Sequence, residues 1–197
     1  MGNKNNTIRD KIRDKILNKE VPDSEIIQTI EYYPNFDINW CDKDWTLLIW
    51  AIIRNREKIV EYLLTNPNIK VNQKSLTNVD NVALHSVCGS GNIPILKLLL
   101  GHKDIDVNIR DNHGWTVLHF ACGNSNCFEF VKELLLDARV GILINNDWGN
   151  TAWNIAINWG HFRIANIIKK TGYTSLLRIS NGSLLHDIVR MIIEEYT

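Results

Sequence analysis

A pattern that recurs at nearly constant spacing limits the folds that this chain can adopt. In each copy a Thr, or a Val in its place, opens a short apolar stretch that is followed by a Leu-rich one. These anchor residues lie 36, 34 and 35 residues apart, at Thr46, Val82, Thr116 and Thr151, and a weaker fifth copy begins at Ser183. Periods of about 20 to 50 residues indicate stacked repeats, in which each unit buries its apolar face only against its neighbours.

Two further landmarks keep the same spacing. An apolar residue and an Asn precede each anchor, at residues 38–39, 71–72, 107–108 and 144–145. The Leu-rich stretches end in phase as well, at residues 62–64, 98–100, 134–136 and 167–168. Three landmarks in phase over four copies indicate a repeat array rather than a chance similarity.

Local chemistry predicts a pair of helices in each copy. Thr116 can cap the first helix, because its hydroxyl can accept from a free amide of the first turn. Gly91 and Gly160 separate the first helix from the second in their copies. Pro94 lies where the first turn of a second helix is expected, a position that tolerates proline.

These residues resemble the ankyrin repeat family. Residues 111–122, Asp-Asn-His-Gly-Trp-Thr-Val-Leu-His-Phe-Ala-Cys, match its D-x-x-G-x-T-P-L-H-x-A-A pattern best, and Gly160-His161 matches its Gly-His step. The resemblance covers residues 37 to about 172 well. It implies an all-α solenoid of helix-turn-helix pairs with β-turn or hairpin loops, with about four clear repeats and degenerate caps at both ends. No copy keeps the proline after Thr, and repeat three carries an insertion at residues 124–127.

The same register divides the chain into segments. The N-terminal segment carries an apolar helical stripe at Ile8, Ile12 and Ile16, and Ser24 is expected to cap a second helix with Glu25 in its first turn. The predicted segments are a flexible N-terminus at 1–7, an N-terminal capping repeat at 8–40, repeats at 41–76, 77–110, 111–145 and 146–180, and a C-terminal capping helix or partial repeat at 181–197.

Composition excludes several classes of protein. Lys and Arg number 22 and Asp and Glu number 22, so the chain lacks the basic excess of nucleic-acid or anionic-membrane surfaces. The polar N-terminus has no apolar signal region. Four cysteines without a CxxC pair indicate reduced thiols in an intracellular protein. The expected location is the cytoplasm, with the nucleus as the alternative.

Catalytic and cofactor motifs are missing from the sequence, including Walker, GxGxxG, GxSxG and HExxH patterns. In the ankyrin resemblance, His85, His119 and His186 occupy a motif position that hydrogen-bonds neighbouring backbone, and His161 occupies the Gly-His step. The chain is therefore expected to be no enzyme and to use no cofactor or metal.

Seven tryptophans in 197 residues are more than such short helices need in their cores. In the ankyrin family the turn tips and first-helix ends form a concave recognition surface, so the resemblance implies that several rings face a partner. The residues carried over to that surface are Asp42, Lys43, Trp45, Arg54, Asn78, Asn81, Asn112, His113, Trp115, Asp147, Trp148, Asn150 and Trp159. The alternative for each ring is packing along the turns. Exposed Trp dominates binding energy at interfaces, which makes Trp115 the expected hot spot.

This organisation predicts a non-catalytic, monomeric module that binds another protein of unknown identity. Two alternatives stay open. One is an adaptor that recruits a substrate to a larger assembly, such as an E3 ubiquitin ligase, through a C-terminal helix at residues 183–195. The other is a structural or assembly protein without a specific ligand groove.

Overall fold

A computed structural model describes residues 4–42, 45–75 and 82–179, with side chains from residue 8 to residue 172. These residues form α-helices joined by turns and a 3₁₀ turn, and the described part of the chain contains no β-strand, only two isolated bridges. The helices are α1 Lys4–Leu17, α2 Asp23–Glu31, α3 Leu47–Ile53, α4 Glu57–Thr65, α5 Ala83–Ser90, α6 Ile93–Leu100, α7 Val117–Cys122, α8 Phe128–Leu134, α9 Ala152–Asn158 and α10 Phe162–Ile179. The 3₁₀ turn is Ser125–Cys127.

The helices form two layers. The first helices of successive copies pack on one another in the order α1, α3, α5, α7 and α9, and the second helices in the order α2, α4, α6, α8 and α10. Each helix also packs on the other helix of its own pair. One core of buried apolar residues therefore runs from Ile12 in α1 to Ile168 in α10. The predicted all-α solenoid is confirmed.

The helix starts follow from the capping residues. Thr46 accepts a hydrogen bond from the Ile49 amide at 3.2 Å, and Thr151 accepts one from the Asn154 amide at 3.3 Å. Thr116 and His119 form the reciprocal capping arrangement, in which the Thr116 amide donates to His119 Nδ1 at 3.2 Å. Pro94 lies in the first turn of α6, as predicted.

The predicted cap at Ser24 is wrong. Helix α2 begins at Asp23, and Pro22, with φ −63° and ψ 145°, holds the capping position. The Pro22 carbonyl accepts from the amides of Glu25 and Ile26 at 3.0 and 3.3 Å. The fixed φ of proline starts the helix before Ser24 and leaves that side chain inside the first turn.

The second helix of repeat four is longer than the second helices of the other copies. Helix α10 has 18 residues, whereas the other second helices have seven to nine. The predicted C-terminal segment at 181–197, with its helix at 183–195 and His186, lies outside the described residues.

Repeat two lacks the capping hydroxyl that the other copies have. Val82 takes the place of Thr, and His85 donates from Nε2 to the Ile109 carbonyl at 3.1 Å. Within the described residues, Nδ1 of His85 is one of two buried side-chain nitrogens without a hydrogen-bond partner. An unsatisfied buried acceptor costs stability, so this cap is a weak point of the array.

The substitution Val82→Thr is expected to raise the free energy of unfolding by about 1 kcal/mol. The new hydroxyl can donate to His85 Nδ1, as Thr116 Oγ1 lies 2.9 Å from His119 Nδ1 in repeat three. Urea unfolding followed by circular dichroism measures the change. The matched control is Val117→Thr, which buries a hydroxyl in the next repeat without an orphaned ring nitrogen beside it and should destabilise. Equal losses in both variants would contradict the prediction.

Candidate partner-binding surface

A buried polar side chain at the base of the turn holds each described turn tip in place. Asp111 Oδ1 accepts from the amides of His113 and Trp115 at 2.9 and 2.8 Å. Asn146 Oδ1 accepts from the amides of Trp148 and Asn150 at 3.1 and 3.0 Å. Because Asp111 and Asn146 are 8 % and 4 % exposed, these bonds are shielded from water. The backbone of the two turn tips is therefore fixed before any partner arrives.

Asp42 has this anchoring role in repeat one. Its Oδ1 accepts from the Trp45 amide at 2.7 Å, and its Oδ2 accepts from the Trp50 indole at 2.9 Å. The Asp42 side chain is only 11 % exposed. The structure thus places Asp42 under the turn, where its carboxylate holds the repeat together.

The turns of repeats three and four are linked to each other. Arg110 Nη2 donates to Asp147 Oδ1 at 2.8 Å, and the Asp147 amide donates to the His113 carbonyl at 3.1 Å. The imidazole of His113 lies against the indole of Trp148, with ring centroids 5.5 Å apart and planes tilted by 33°. These contacts set the orientation of the Trp148 ring on a largely exposed surface.

The tryptophans at the predicted surface separate into two groups. Trp148 and Trp159 are 63 % and 65 % exposed, a large apolar area for rings of this size. Trp45 and Trp115 are half-buried and pack against the core. The Trp115 ring lies 5.2 Å from that of Phe120 and 6.0 Å from that of His119.

The remaining predicted residues also divide. Arg54 and Asn112 are exposed, and Asn150 is half-buried with its carbonyl accepting from His119 Nε2 at 3.1 Å. Lys43, Asn78 and Asn81 lie outside the described residues. Among the described residues of this surface, the side-chain contacts that join neighbouring turns are those of Arg110 with Asp147 and of His113 with Trp148.

Sequence reasoning missed Phe162, the first residue of α10. Its ring is 62 % exposed and comes three residues after Trp159. Phe162 directly follows the short loop between the two helices of repeat four. A large apolar residue at this position was the feature of the sequence that could have indicated it. The neighbouring Arg163 guanidinium lies 4.4 Å from the centroid of the Phe128 ring, a cation-π distance that connects repeats four and three.

The buried histidines serve the fold. His85 donates from Nε2 to the Ile109 carbonyl near the end of its own repeat, and His119 donates from Nε2 to the Asn150 carbonyl of the next repeat. The half-buried His161 donates from Nδ1 to the Cys122 carbonyl of the preceding repeat at 2.8 Å. Because the Asn150 carbonyl can only accept, the His119 proton lies on Nε2 and Nδ1 is free to accept from Thr116. Burial lowers the pKa of His85 and of His119, which keeps both rings neutral at pH 7. The predicted backbone contacts are confirmed for both.

The described chain brings together no group of three or more His, Cys, Asp or Glu residues suited to a metal ion. Among its helices, none combines the length and the apolar character needed to cross a membrane.

Comparison with known families agrees with this architecture. The profile described as "Ankyrin repeats (3 copies)" matches residues 70–145, and the profile "Ankyrin repeat" matches residues 43–73. Together they cover residues 43–145, just over half of the chain.

Curated proteins with similar sequences are longer than the matched region. The SMC5-SMC6 complex localization factor protein 1 of Bos taurus is 36 % identical over 61 % of this chain and 12 % of its own length. The putative ankyrin repeat protein FPV031 of Fowlpox virus is 34 % identical over 62 % of this chain and 36 % of its length. An ankyrin repeat-containing protein of Schizosaccharomyces pombe, C6C3.08, is 26 % identical over 68 % of this chain and 56 % of its length. The chain therefore spans less than two thirds of each of these relatives, and what it shares with them is the repeat array: it belongs to the ankyrin-repeat family.

Proposed function

We propose that this chain is a non-catalytic module that binds another protein through the turns and first helices of repeats three and four. The observation that carries the proposal is the exposure of two large rings, Trp148 and Trp159, at 63 % and 65 %. Exposed apolar area of this kind on a folded domain is typical of an interaction site. Ankyrin repeats are protein-interaction modules, and membership of this family supports the proposed binding function.

The two rings lie at opposite ends of α9. Trp148 belongs to the turn before the helix, and Trp159 follows its last residue. A helix of seven residues is about 10 Å long, which equals about three residues of an extended peptide. We infer that the partner spans this length and places one apolar group on each ring, since aromatic anchors dominate binding energy at interfaces.

The turn chemistry supports such a surface. The His113 ring and the Arg110–Asp147 ion pair position Trp148 in the unbound protein. A ring that is already oriented loses little freedom when a partner binds, and this raises affinity for a given contact area. In this proposal the half-buried Trp45 and Trp115 contribute mainly to folding. The proposed hot spot is therefore formed by Trp148 and Trp159 of repeat four and not by Trp115.

The test is partner capture followed by a measured affinity. The wild-type chain and the variants Trp148→Ala and Trp159→Ala are used as baits, and a captured protein is then titrated by calorimetry. Each variant is expected to weaken binding at least about tenfold, which corresponds to about 1.4 kcal/mol. The melting temperature should stay unchanged, because both rings are mostly exposed.

Two controls make the result specific. Tyr32→Ala removes a ring that is 77 % exposed at the N-terminal helix pair and should leave binding intact. Leu136→Ser with Leu143→Ser alters a different exposed apolar site, where the two leucines are 75 % and 77 % exposed. If the leucine variant abolished binding and the tryptophan variants did not, the proposed surface would be wrong.

We further propose that the module acts as a monomer inside the cell, in the cytoplasm or the nucleus. Cys88, Cys122 and Cys127 form no disulfide, which supports a reducing compartment. Similarity to a localization factor of the SMC5-SMC6 complex supports the nucleus. Light scattering across a range of concentrations and microscopy of a tagged chain distinguish these alternatives.

A further inference from the structure

Three cysteines meet where repeats two and three pack on each other. Cys88 of α5, Cys122 of α7 and Cys127 of the 3₁₀ turn are 5 %, 0 % and 4 % exposed. Cys88 and Cys122 are the sixth residues after their anchors Val82 and Thr116, whereas repeats one and four have isoleucine at this position. Stacking of equivalent helices therefore brings two thiols to the same level of the core.

Cys127 reaches this level because of the insertion in repeat three. The segment between the two helices has five residues there, at 123–127, but only two or three in repeats one, two and four. The additional residues form the Ser125–Cys127 turn and bring Cys127 back toward the preceding repeat. Its thiol donates to the Cys88 carbonyl oxygen, with Sγ 3.9 Å from that oxygen.

The three thiols differ in acidity. The neighbouring Cys88 side chain lowers the pKa of the Cys127 thiol to about 7, and the same contact raises the pKa of Cys88. Burial raises the pKa of Cys122. A thiolate is the reactive form of cysteine toward peroxides and disulfides, so Cys127 is the residue that reacts first at neutral pH.

We propose that Cys88 and Cys127 are a modification site, at which a hydroperoxide forms a reversible disulfide between repeats two and three. In the first step the Cys127 thiolate attacks hydrogen peroxide, the O–O bond breaks, and sulfenic acid and hydroxide form. In the second step the Cys88 sulfur attacks the Cys127 sulfur, and the sulfenic oxygen leaves as water with the thiol proton. Two thiols and one peroxide thus give one disulfide and two waters.

The bond would strengthen the array without adding a noncovalent contact. It joins residues 39 positions apart and so restricts a long loop of the unfolded chain. A cross-link of this size is expected to raise the melting temperature by about 5 to 10 °C. Reduction by dithiothreitol should return the protein to its original melting temperature.

The test exposes the folded, fully reduced protein to a small excess of hydrogen peroxide at pH 7.5. Remaining thiols are then alkylated and the peptides mapped by mass spectrometry. The wild-type chain, Cys41→Ser and Cys122→Ser should lose two hydrogen atoms and yield a cross-linked Cys88–Cys127 peptide. Cys88→Ser should stop at a sulfenic acid on Cys127 that dimedone labels, and Cys127→Ser should give neither product.

The peptide map of the wild-type chain tests the proposed disulfide even where a serine variant folds poorly. A disulfide to Cys122, a cross-link seen only after unfolding in urea, or full alkylation of Cys88 and Cys127 after peroxide would each overturn the proposal. The oxidation rate should also rise with pH through about 7, following the Cys127 thiol. A rate independent of pH would show that this thiolate is not the attacking group.

Discussion

Replacing Arg56 with Leu is expected to lower the free energy of unfolding by about 3 kcal/mol, and to loosen the N-terminal helix pair in particular. The Arg56 guanidinium fastens α1 and α2 to repeat one. Its Nη1 donates to Asp23 Oδ1 and to the Val21 carbonyl, both at 3.0 Å. It also bonds the carbonyls of Ile16 and Asn18, at the end of α1, where helical carbonyls lack intrahelical partners.

The size of the effect follows from burial. The side chains of Arg56 and Asp23 are 12 % and 19 % exposed, so the deletion leaves a carboxylate and several carbonyls short of partners away from bulk water. Removal of one member of a buried pair costs about 3 to 5 kcal/mol, and the partial exposure places this pair at the lower end.

Urea unfolding and hydrogen exchange measure the consequence. Amides of α1 and α2 should exchange faster in Arg56→Leu, while those of α7 and α8 should change little, because each repeat contacts only its neighbours. The matched control is Lys15→Leu, which removes the bonds from Nζ to Glu25 Oε1 at 2.9 Å and to Thr29 Oγ1 at 2.8 Å. Because the Glu25 side chain is 53 % exposed, this change should cost about 1 kcal/mol or less. Equal losses in both variants would show that Arg56 has no special role.

The contacts of Arg56 could not be predicted from the repeat pattern of the sequence. The helix pairs were predictable because their anchors, Leu-rich stretches and Asn residues repeat in phase, and every copy must bury the same face. Arg56 stands in the step between two helices, where His161 stands in repeat four, and its partners lie 33 to 40 residues earlier in the chain. A side chain that replaces a repeat residue and bonds outside its own repeat leaves no periodic signal.

The candidate surface was predictable in position and not in exposure. The register located Trp45, Trp115, Trp148 and Trp159 on the turns and first-helix ends. Whether such a ring is free depends on its neighbours: the Phe120 ring partly covers Trp115, whereas Trp148 has only His113 beside it among the ring contacts of the described residues. Those neighbours come from the packing of particular side chains, which differ from repeat to repeat.

The asparagines that recur before each anchor, used above to align the copies, also form hydrogen bonds between neighbouring repeats. Asn39, Asn72 and Asn108 each donate from Nδ2 to a carbonyl of the next copy, at 2.8, 2.7 and 2.8 Å. Each also accepts an amide of the same loop through Oδ1, at 2.7, 3.0 and 2.7 Å. The spacing of these residues was visible in the sequence, and its cause is a pair of hydrogen bonds that each repeat makes to its successor.

Substituting Gly114 with Ala is expected to cost about 3 kcal/mol, whereas the same change at Gly149 should cost about 1 kcal/mol. The two glycines hold equivalent places in the turns of repeats three and four, with φ of 76° and 75°. Both substitutions therefore carry the same strain of a left-handed backbone. The difference must come from what surrounds each residue.

A Cβ at Gly114 would lie 2.2 Å from Arg110 Nη2, 2.5 Å from Asp147 Oδ1 and 2.9 Å from the Asp147 amide nitrogen. The Arg110 side chain can move, but the Asp147 amide is backbone and is bonded to the His113 carbonyl. A Cβ at Gly149 meets no atom within 4 Å. Gly114→Ala must therefore push the turn of repeat four away from that of repeat three.

This pair of variants connects the stability of the turns to the proposed surface. Displacing Asp147 breaks the Arg110 ion pair and shifts Trp148 relative to His113, so Gly114→Ala should weaken partner binding as well as lower the melting temperature. Gly149→Ala should lower the melting temperature slightly and keep the Asp147 contacts. Urea unfolding gives the two free energies, and calorimetry with a captured partner gives the two affinities. Equal stability losses in the two variants would show that the contacts between the two turns do not add to the cost of Gly114→Ala. An unchanged affinity in Gly114→Ala would show that the position of Trp148 does not control binding.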